Sequence, residues 1–266
     1  KILLIESIFM LPAYAISLYY QEEAARHALL LSALITALVG GIMVALTRGT
    51  KRGFHAKEGM VCVGLSWIVL GLFGALPFFI SGAIPHYVDA LFEIVSGFTT
   101  TGASILLEVE SMPYGLLYWR SFSHWLGGMG VLVFLLAVSS GNERSKGFTM
   151  HILRAESPGP QVGKLVPRMK QTAEILYVLY IILTVIDVIF LLCGGMPLFD
   201  SVCTAFGTAG TGGFGIKNDS MAGYNPYLQN VCTVFMLLFG VNFTCYYMLL
   251  LKQVKSVWKD EELRLY

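Results

Sequence analysis

Charge is the scarcest commodity in this sequence. Asp, Glu, Lys and Arg make up 13% of its 266 residues, against roughly 25% in a soluble globular domain. Hydrophobic residues make up 56% and the mean hydropathy is +0.68. One water-soluble core could not bury that much apolar surface, and lipid is the solvent that suits it. The net charge of +1 gives no bulk attraction for nucleic acid. Cysteine is also sparse: Cys62, Cys193, Cys203, Cys232 and Cys245 form no CxxC pair, and most lie in or beside apolar runs. They read as small buried hydrophobes. No His/Cys group has metal-ligand spacing. No nucleophile and base come together, so the expectation is a protein that is not an enzyme. The chain begins with Lys1 rather than Met and shows no cleavable signal peptide, so it reads as starting inside a longer polypeptide.

Long apolar runs are abundant. A membrane helix needs about 20 mostly apolar residues, and six segments qualify: Ile2–Tyr20 (with Pro12 as a kink), Ala28–Thr47, Met60–Ser81, Leu117–Ser139, Ala173–Cys193 and Val231–Leu251. They read as helices, because helices and closed barrels alone satisfy their backbones in lipid. Fifteen of the eighteen Lys and Arg fall at one end of these spans. They are Lys1, the loop from Arg48 to Lys57, the loop from Arg144 to Lys170, and the tail from Lys252 to Arg264. The positive-inside rule places those segments, and both ends of this chain, in the cytoplasm. The opposite face carries Glu22, Glu23, Asp89, Glu93, Glu108, Glu110, Asp200 and Asp219. These read either as a solvated rim or as a field that concentrates cations.

Two outer segments, Ile84–Phe98 and Leu198–Ala209, are half apolar and too short to cross, so they read as re-entrant helices. They resemble each other. Gly82-Ala83-Ile84-Pro85 lies beside Gly194-Gly195-Met196-Pro197, and past a one-residue gap an offset of 111 carries Asp89 to Asp200, Thr100 to Thr211 and Gly102 to Gly213. The flanking spans pair in the same order. The repeating unit is helix, re-entrant helix with loop, helix. The chain then divides into two leading helices (1–57), a first unit (58–145), a cytoplasmic linker (146–171) and a second unit (172–266).

Each re-entrant segment runs into a Thr/Gly cluster: Thr100-Thr101-Gly102-Ala103-Ser104 and Thr211-Gly212-Gly213-Phe214-Gly215. The second departs from the TVGYG string of potassium filters at two positions, one of them still aromatic. A bare potassium ion needs a cage of oxygens, and rings of backbone carbonyls supply it. Turning successive carbonyls toward one axis needs alternating backbone handedness, which Gly permits. The preceding short helix aims its negative end at the ion. Thr100, Thr101, Gly102 and Ala103, with Thr211, Gly212, Gly213 and Phe214, are therefore the candidate potassium-binding set.

The chain resembles the Trk/Ktr superfamily of potassium uptake proteins, the TrkH-type membrane subunit in particular. The resemblance rests on the Thr99–Ser104 cluster, on Trp119-Arg120-Ser121-Phe122-Ser123-His124-Trp125-Leu126-Gly127-Gly128-Met129-Gly130, on Arg154-Ala155-Glu156-Ser157-Pro158-Gly159-Pro160 with Lys164-Leu165-Val166-Pro167-Arg168, on Gly212-Gly213-Phe214 and on Gly240-Val241-Asn242-Phe243. It implies an all-α integral membrane protein built of helix–pore-helix–helix repeats of potassium-channel type, preceded by two extra transmembrane helices. It further implies four repeats around one pore, one filter glycine from each (here Gly102 and Gly213), a homodimer in the plasma (inner) membrane, and a cytoplasmic ring of nucleotide-binding regulatory subunits. Potassium is then the substrate, and no cofactor is called for. This chain stops where a third repeat would begin. Arg120 by family position supports the filter from outside; interfacial snorkelling explains it equally. Asp187 and Asn242, polar residues within apolar spans, are further candidates for filter support or interhelical hydrogen bonds. A sodium-permeable pore and an ion-coupled carrier are the alternatives on the same architecture.

Overall fold

In the computed structural model, the described residues are 1–47, 56–130, 169–258 and 260–266. They form helices joined by turns, and no strand occurs among them. Two antiparallel helices lead, α1 (Ile2–Tyr19) and α2 (Glu23–Leu46). Their buried positions are rich in small residues, Ala13 and Ser17 on α1 with Ala25, Ala28, Ser32, Ala33 and Thr36 on α2, and Gly40 of α2 lies close against Leu3 and Leu4 of α1. Small side chains let helix backbones approach closely where lipid gives no hydrophobic drive for association. Pro12 sits inside α1, which continues unbroken through it.

The first unit follows as α3 (Ala56–Gly74), α4 (Leu76–Ile80), α5 (Tyr87–Phe98) and α6 (Tyr114–Gly128). The expected third span is thus two helices meeting at Ala75. The rest of the expected fourth span, the basic loop from Arg144 and most of the 146–171 linker lie outside the described residues. The second unit is α7 (Met169–Cys193), α8 (Leu198–Ala209), α9 (Pro226–Gly240) and α10 (Phe243–Leu250), followed by two short helices, α11 (Val254–Val257) and α12 (Glu261–Leu265). The expected sixth span is not one continuous helix, because α9 and α10 are bent by 81°. Val241 is extended there (ψ 137°), and Asn242 caps α10 by accepting a bond from the Thr244 N–H at 3.0 Å.

The re-entrant helices match in form. Both α5 and α8 are 12 residues long, about 18 Å at 1.5 Å per residue against a hydrocarbon core of about 30 Å. Each carries an acid in its first turn, Asp89 or Asp200, where the helix dipole favours negative charge. Among the described residues, four helices are long and apolar enough to cross a membrane, or five if the bent pair counts as one span.

Two hydrophobic clusters form the interior. One gathers α1, α2 and the first unit around Leu29, Phe78, Ile94 and Trp119; the other holds the second unit around Tyr180, Leu191 and Phe235. Trp125 on α6 packs against both. Its indole N–H donates to Thr184 Oγ1 at 3.0 Å, and its carbonyl accepts from the Tyr180 hydroxyl at 2.9 Å. Helix α6 is therefore the joint between the units. Its N-terminus is held by the leading hairpin: the Glu22 carboxylate accepts from the backbone N–H groups of Tyr114 (2.5 Å) and Gly115 (3.1 Å). Glu22, read as rim charge from sequence, caps a helix more than ninety residues away.

Candidate functional site

Both Thr/Gly clusters begin where a short helix ends, and both leave it by the same backbone path. Thr100 (φ 54°) and Gly102 (φ 73°) are left-handed in the first; Thr211 (φ 58°) and Gly213 (φ 67°) are left-handed in the second. A non-glycine residue in this region is uncommon, so its occurrence at two positions related by the 111-residue offset is a built feature. In each cluster, left-handed residues sit at alternate positions, the condition for turning successive carbonyls the same way. Gly102 is fixed by more than its φ. A Cβ there would run into the carbonyl oxygen of Gly212, so the two clusters touch backbone to backbone. At Gly213 the nearest atom to a Cβ would be the Met236 methyl, at 3.4 Å.

Hydrogen bonds hold the first cluster from behind. The Ser96 hydroxyl donates to the Ala103 carbonyl at 2.5 Å, and the Thr101 N–H donates to the Ser96 carbonyl at 3.0 Å. Glu93, fully buried, accepts from the Ser104 hydroxyl (2.8 Å), the Ile105 N–H (2.9 Å) and Arg120 Nε (2.6 Å). The sequence reading placed Glu93 on the acidic outer rim, and the structure corrects it. The signal was available in helical register: Glu93 lies three residues after Ala90 and four before Gly97, on the buried face of α5.

Arg120 carries the brace into the second unit. Only 2% exposed, it donates from a terminal guanidinium nitrogen to the Gly215 carbonyl at 2.6 Å. Its guanidinium carbon lies 3.4 Å from the centre of the Phe214 ring, a cation–π contact. Snorkelling to the interface is ruled out by this burial. One turn further along α6, the buried His124 ring stacks on Phe214 with centroids 5.3 Å apart. It also fills the space that side chains at Gly210 and Gly212 would need. Among the described residues neither of its ring nitrogens has a hydrogen-bond partner, so His124 acts on the second cluster by shape. The sequence reading singled out Arg120 and left out His124, although the i, i+4 spacing puts both on one helix face.

The outer ends of the clusters are tied as well. The Val109 N–H donates to Asn218 Oδ1 at 2.7 Å, and the Asn218 N–H donates to Glu110 at 3.2 Å. Further out, the Tyr224 hydroxyl donates to Asp200 at 3.3 Å. Burial, then the neighbouring Asp200 carboxylate, push its phenol well above the usual range.

Two candidates do not join this constellation. Asn242 caps α10 and donates to Glu262 at 2.9 Å, with no bond to either cluster; it supports a helix break. Asp187 is fully buried, and among the described residues neither of its carboxylate oxygens has a hydrogen-bond partner. Among the described residues, no group of three or more His, Cys, Asp or Glu could hold a metal ion; the clusters offer backbone carbonyls and Thr hydroxyls, which suit a weakly held alkali cation.

A helical membrane protein in which two re-entrant helices deliver paired, left-handed, Thr/Gly-lined loops to one place belongs to the class that handles ions at membrane depth. The family described as TrkH, cation transport protein, matches residues 25–265. The Trk system potassium uptake protein TrkH of Salmonella typhimurium is 34% identical over 100% of this chain and 55% of its own length. TrkG of Escherichia coli, also named a Trk system potassium uptake protein, is 33% identical over 98% of this chain and 54% of its own length. The crystal structure of the potassium transporter TrkH from Vibrio parahaemolyticus superimposes with a TM-score of 0.81 at 30% identity, covering 98% of this chain and 53% of that one. The chain belongs to the TrkH family of cation transport proteins, a family of multi-pass membrane transporters and not of enzymes, and it spans about half the length of the relatives it matches.

Proposed function

We propose that this chain supplies two of the filter-bearing quadrants of a potassium uptake pore, with Thr100–Ala103 and Thr211–Phe214 presenting carbonyl and hydroxyl oxygens to the ion. The observation that carries this reading is the repeated left-handed pair, Thr100/Gly102 and Thr211/Gly213, in clusters packed so closely that Gly102 touches the Gly212 backbone. The names of the relatives support potassium as the substrate. Their length supports a further half of the polypeptide that completes the ring. The charge asymmetry supports a plasma-membrane protein with both ends of this segment in the cytoplasm. A homodimer resting on a cytoplasmic nucleotide-binding ring is the assembly that the family resemblance implies.

The test uses the full-length protein in a host lacking its own potassium uptake, comparing rubidium and sodium influx. The parent should favour rubidium, and Gly102→Ser should abolish or equalise the two fluxes while the protein remains in the membrane. Equal rubidium and sodium influx in the parent would instead favour a sodium-permeable pore. A sodium or proton requirement for rubidium entry would point to a coupled carrier.

A further inference from the structure

The two clusters are not backed alike. The 111-residue offset carries Glu93 to Thr204 and Ser96 to Gly207. Helices α6 and α9, each 15 residues long, pair Arg120 with Cys232 and His124 with Met236. Every side chain that braces the first cluster is therefore replaced in the second unit by one that is smaller, neutral or apolar. A cavity of about 100 Å³ lies there, lined by Thr204, Gly207, Gly213, Phe214, Cys232 and Met236 among others. In the first unit the corresponding positions hold the buried Glu93–Arg120 pair, at 0% and 2% exposure. The second unit gives residues 212–216 no side-chain hydrogen bond of its own among the described residues. Their one side-chain bond is the one Arg120 sends across from the first unit to Gly215.

We propose that Thr204 and Cys232 are selectivity-determining positions. By leaving this cavity behind Gly213–Gly215, they make the second filter segment the more yielding of the two, and its compliance sets how well the pore rejects the smaller sodium ion. A segment that gives can close around a smaller ion, whereas one held at fixed spacing cannot. Neither residue meets the ion; they act through the room they leave. The inference rests on the potassium-pore reading above and adds a determinant to it.

The experiment fills the cavity in two chemically different ways in the full-length protein and reads the rubidium-to-sodium influx ratio. The double variant Thr204→Glu/Cys232→Arg transplants the ion pair of the first unit. Cys232→Leu fills the same space without charge. Each should raise the ratio over the parent, by about fivefold for the ion pair, the factor given by a differential of ~1 kcal/mol, and by less for leucine. Cys232→Arg alone should fail to accumulate in the membrane, and Thr204→Glu should rescue it. If the double variant does not accumulate, Cys232→Leu alone decides. A ratio unchanged or lowered in the filled variants that accumulate would overturn the inference while leaving the potassium reading intact. A parent that carries sodium as readily as rubidium would overturn the potassium reading first.

Discussion

The two Thr/Gly clusters share a backbone path and differ in what stands behind it. In the first, helix α5 supplies its own support: Ser96 reaches Ala103, and Glu93 reaches Ser104 and Ile105. In the second, helix α8 places Thr204 and Gly207 at those positions, and the support comes from α6 of the neighbouring unit through Arg120 and His124. The side chains that hold the first cluster come from its own unit; those that hold the second reach it across the boundary, beside a backbone bond from the Gly213 N–H to the Gly207 carbonyl at 3.1 Å. Backbone geometry survives this exchange because glycine φ and the Thr positions define the path. The side chains around it are free to diverge so long as each buried polar group finds a partner somewhere.

Arg120 belongs to both schemes, so its loss should do the most damage. Arg120→Met removes the partner of a fully buried carboxylate and the donor to Gly215 at once. Leaving Glu93 buried and unpaired should cost roughly 3–5 kcal/mol. The expected outcome is a large fall in the thermal midpoint of the detergent-solubilised full-length protein and loss of rubidium uptake. Restoration of stability, though not of transport, by adding Glu93→Gln would show that the cost is the orphaned charge. Arg120→Met with an unchanged midpoint would contradict the shared brace.

The next pair of variants separates the units. Gly102→Ala and Gly213→Ala incur a similar backbone penalty, about 1–2 kcal/mol for an L-residue held left-handed. They differ in space: the new methyl at 102 meets the Gly212 backbone, whereas at 213 it meets a flexible methionine methyl at 3.4 Å. Gly102→Ala should therefore abolish uptake, and Gly213→Ala should leave measurable rubidium flux with a lower rubidium-to-sodium ratio. Equal loss in both would mean that the clusters are equally constrained.

Much of this was legible before any coordinate. The short helices are legible as apolar stretches too short to span, and the left-handed glycines Gly102 and Gly213 as matched positions in a repeat, because both follow from length and local backbone demand. The brace was half legible. Arg120 stands out as a charge inside an apolar run, whereas Glu93 reads only as one of the outer-face acids, a solvated rim or a cation-concentrating field. Helical register groups it with Ala90 and Gly97 on one face of α5, but that this face meets Arg120 of α6 depends on a contact between segments. The break after Gly240 was invisible for a similar reason. Val241-Asn242 sits inside an apolar run of span length, and the cap made by Asn242 with its bond to Glu262 exists only because the chain folds back. Glu22, too, shows its role only once α6 is placed against the leading hairpin.

That last contact offers a milder test of how far the leading hairpin is part of the site. Glu22→Gln keeps the shape and one acceptor but removes the charge that faces the N-terminus of α6, where dipole and N–H bonds together favour an anion. The expected cost is about 1 kcal/mol, read as a modest fall in thermal midpoint with the rubidium-to-sodium ratio unchanged, because the cap lies at the far end of α6 from His124. A shifted ratio would mean that the hairpin sets the filter and does not merely hold its scaffold.

The smallest expected effect is also the most direct way to make the first unit resemble the second. Ser96 corresponds to Gly207, and its hydroxyl is the donor to the Ala103 carbonyl. Ser96→Ala keeps the helix and the buried methylene and removes that one bond, at a net cost of about 1 kcal/mol. The thermal midpoint should fall only modestly, since Glu93 still anchors Ser104 and Ile105. The Ala103 carbonyl would then lack a side-chain donor from its own helix, as the equivalent Phe214 carbonyl does beside Gly207. The rubidium-to-sodium ratio should fall by a small factor and in the same direction as for Gly213→Ala. A rise in the ratio would reverse the ranking of the two units, and an unchanged ratio would show that Glu93 alone is the brace that matters.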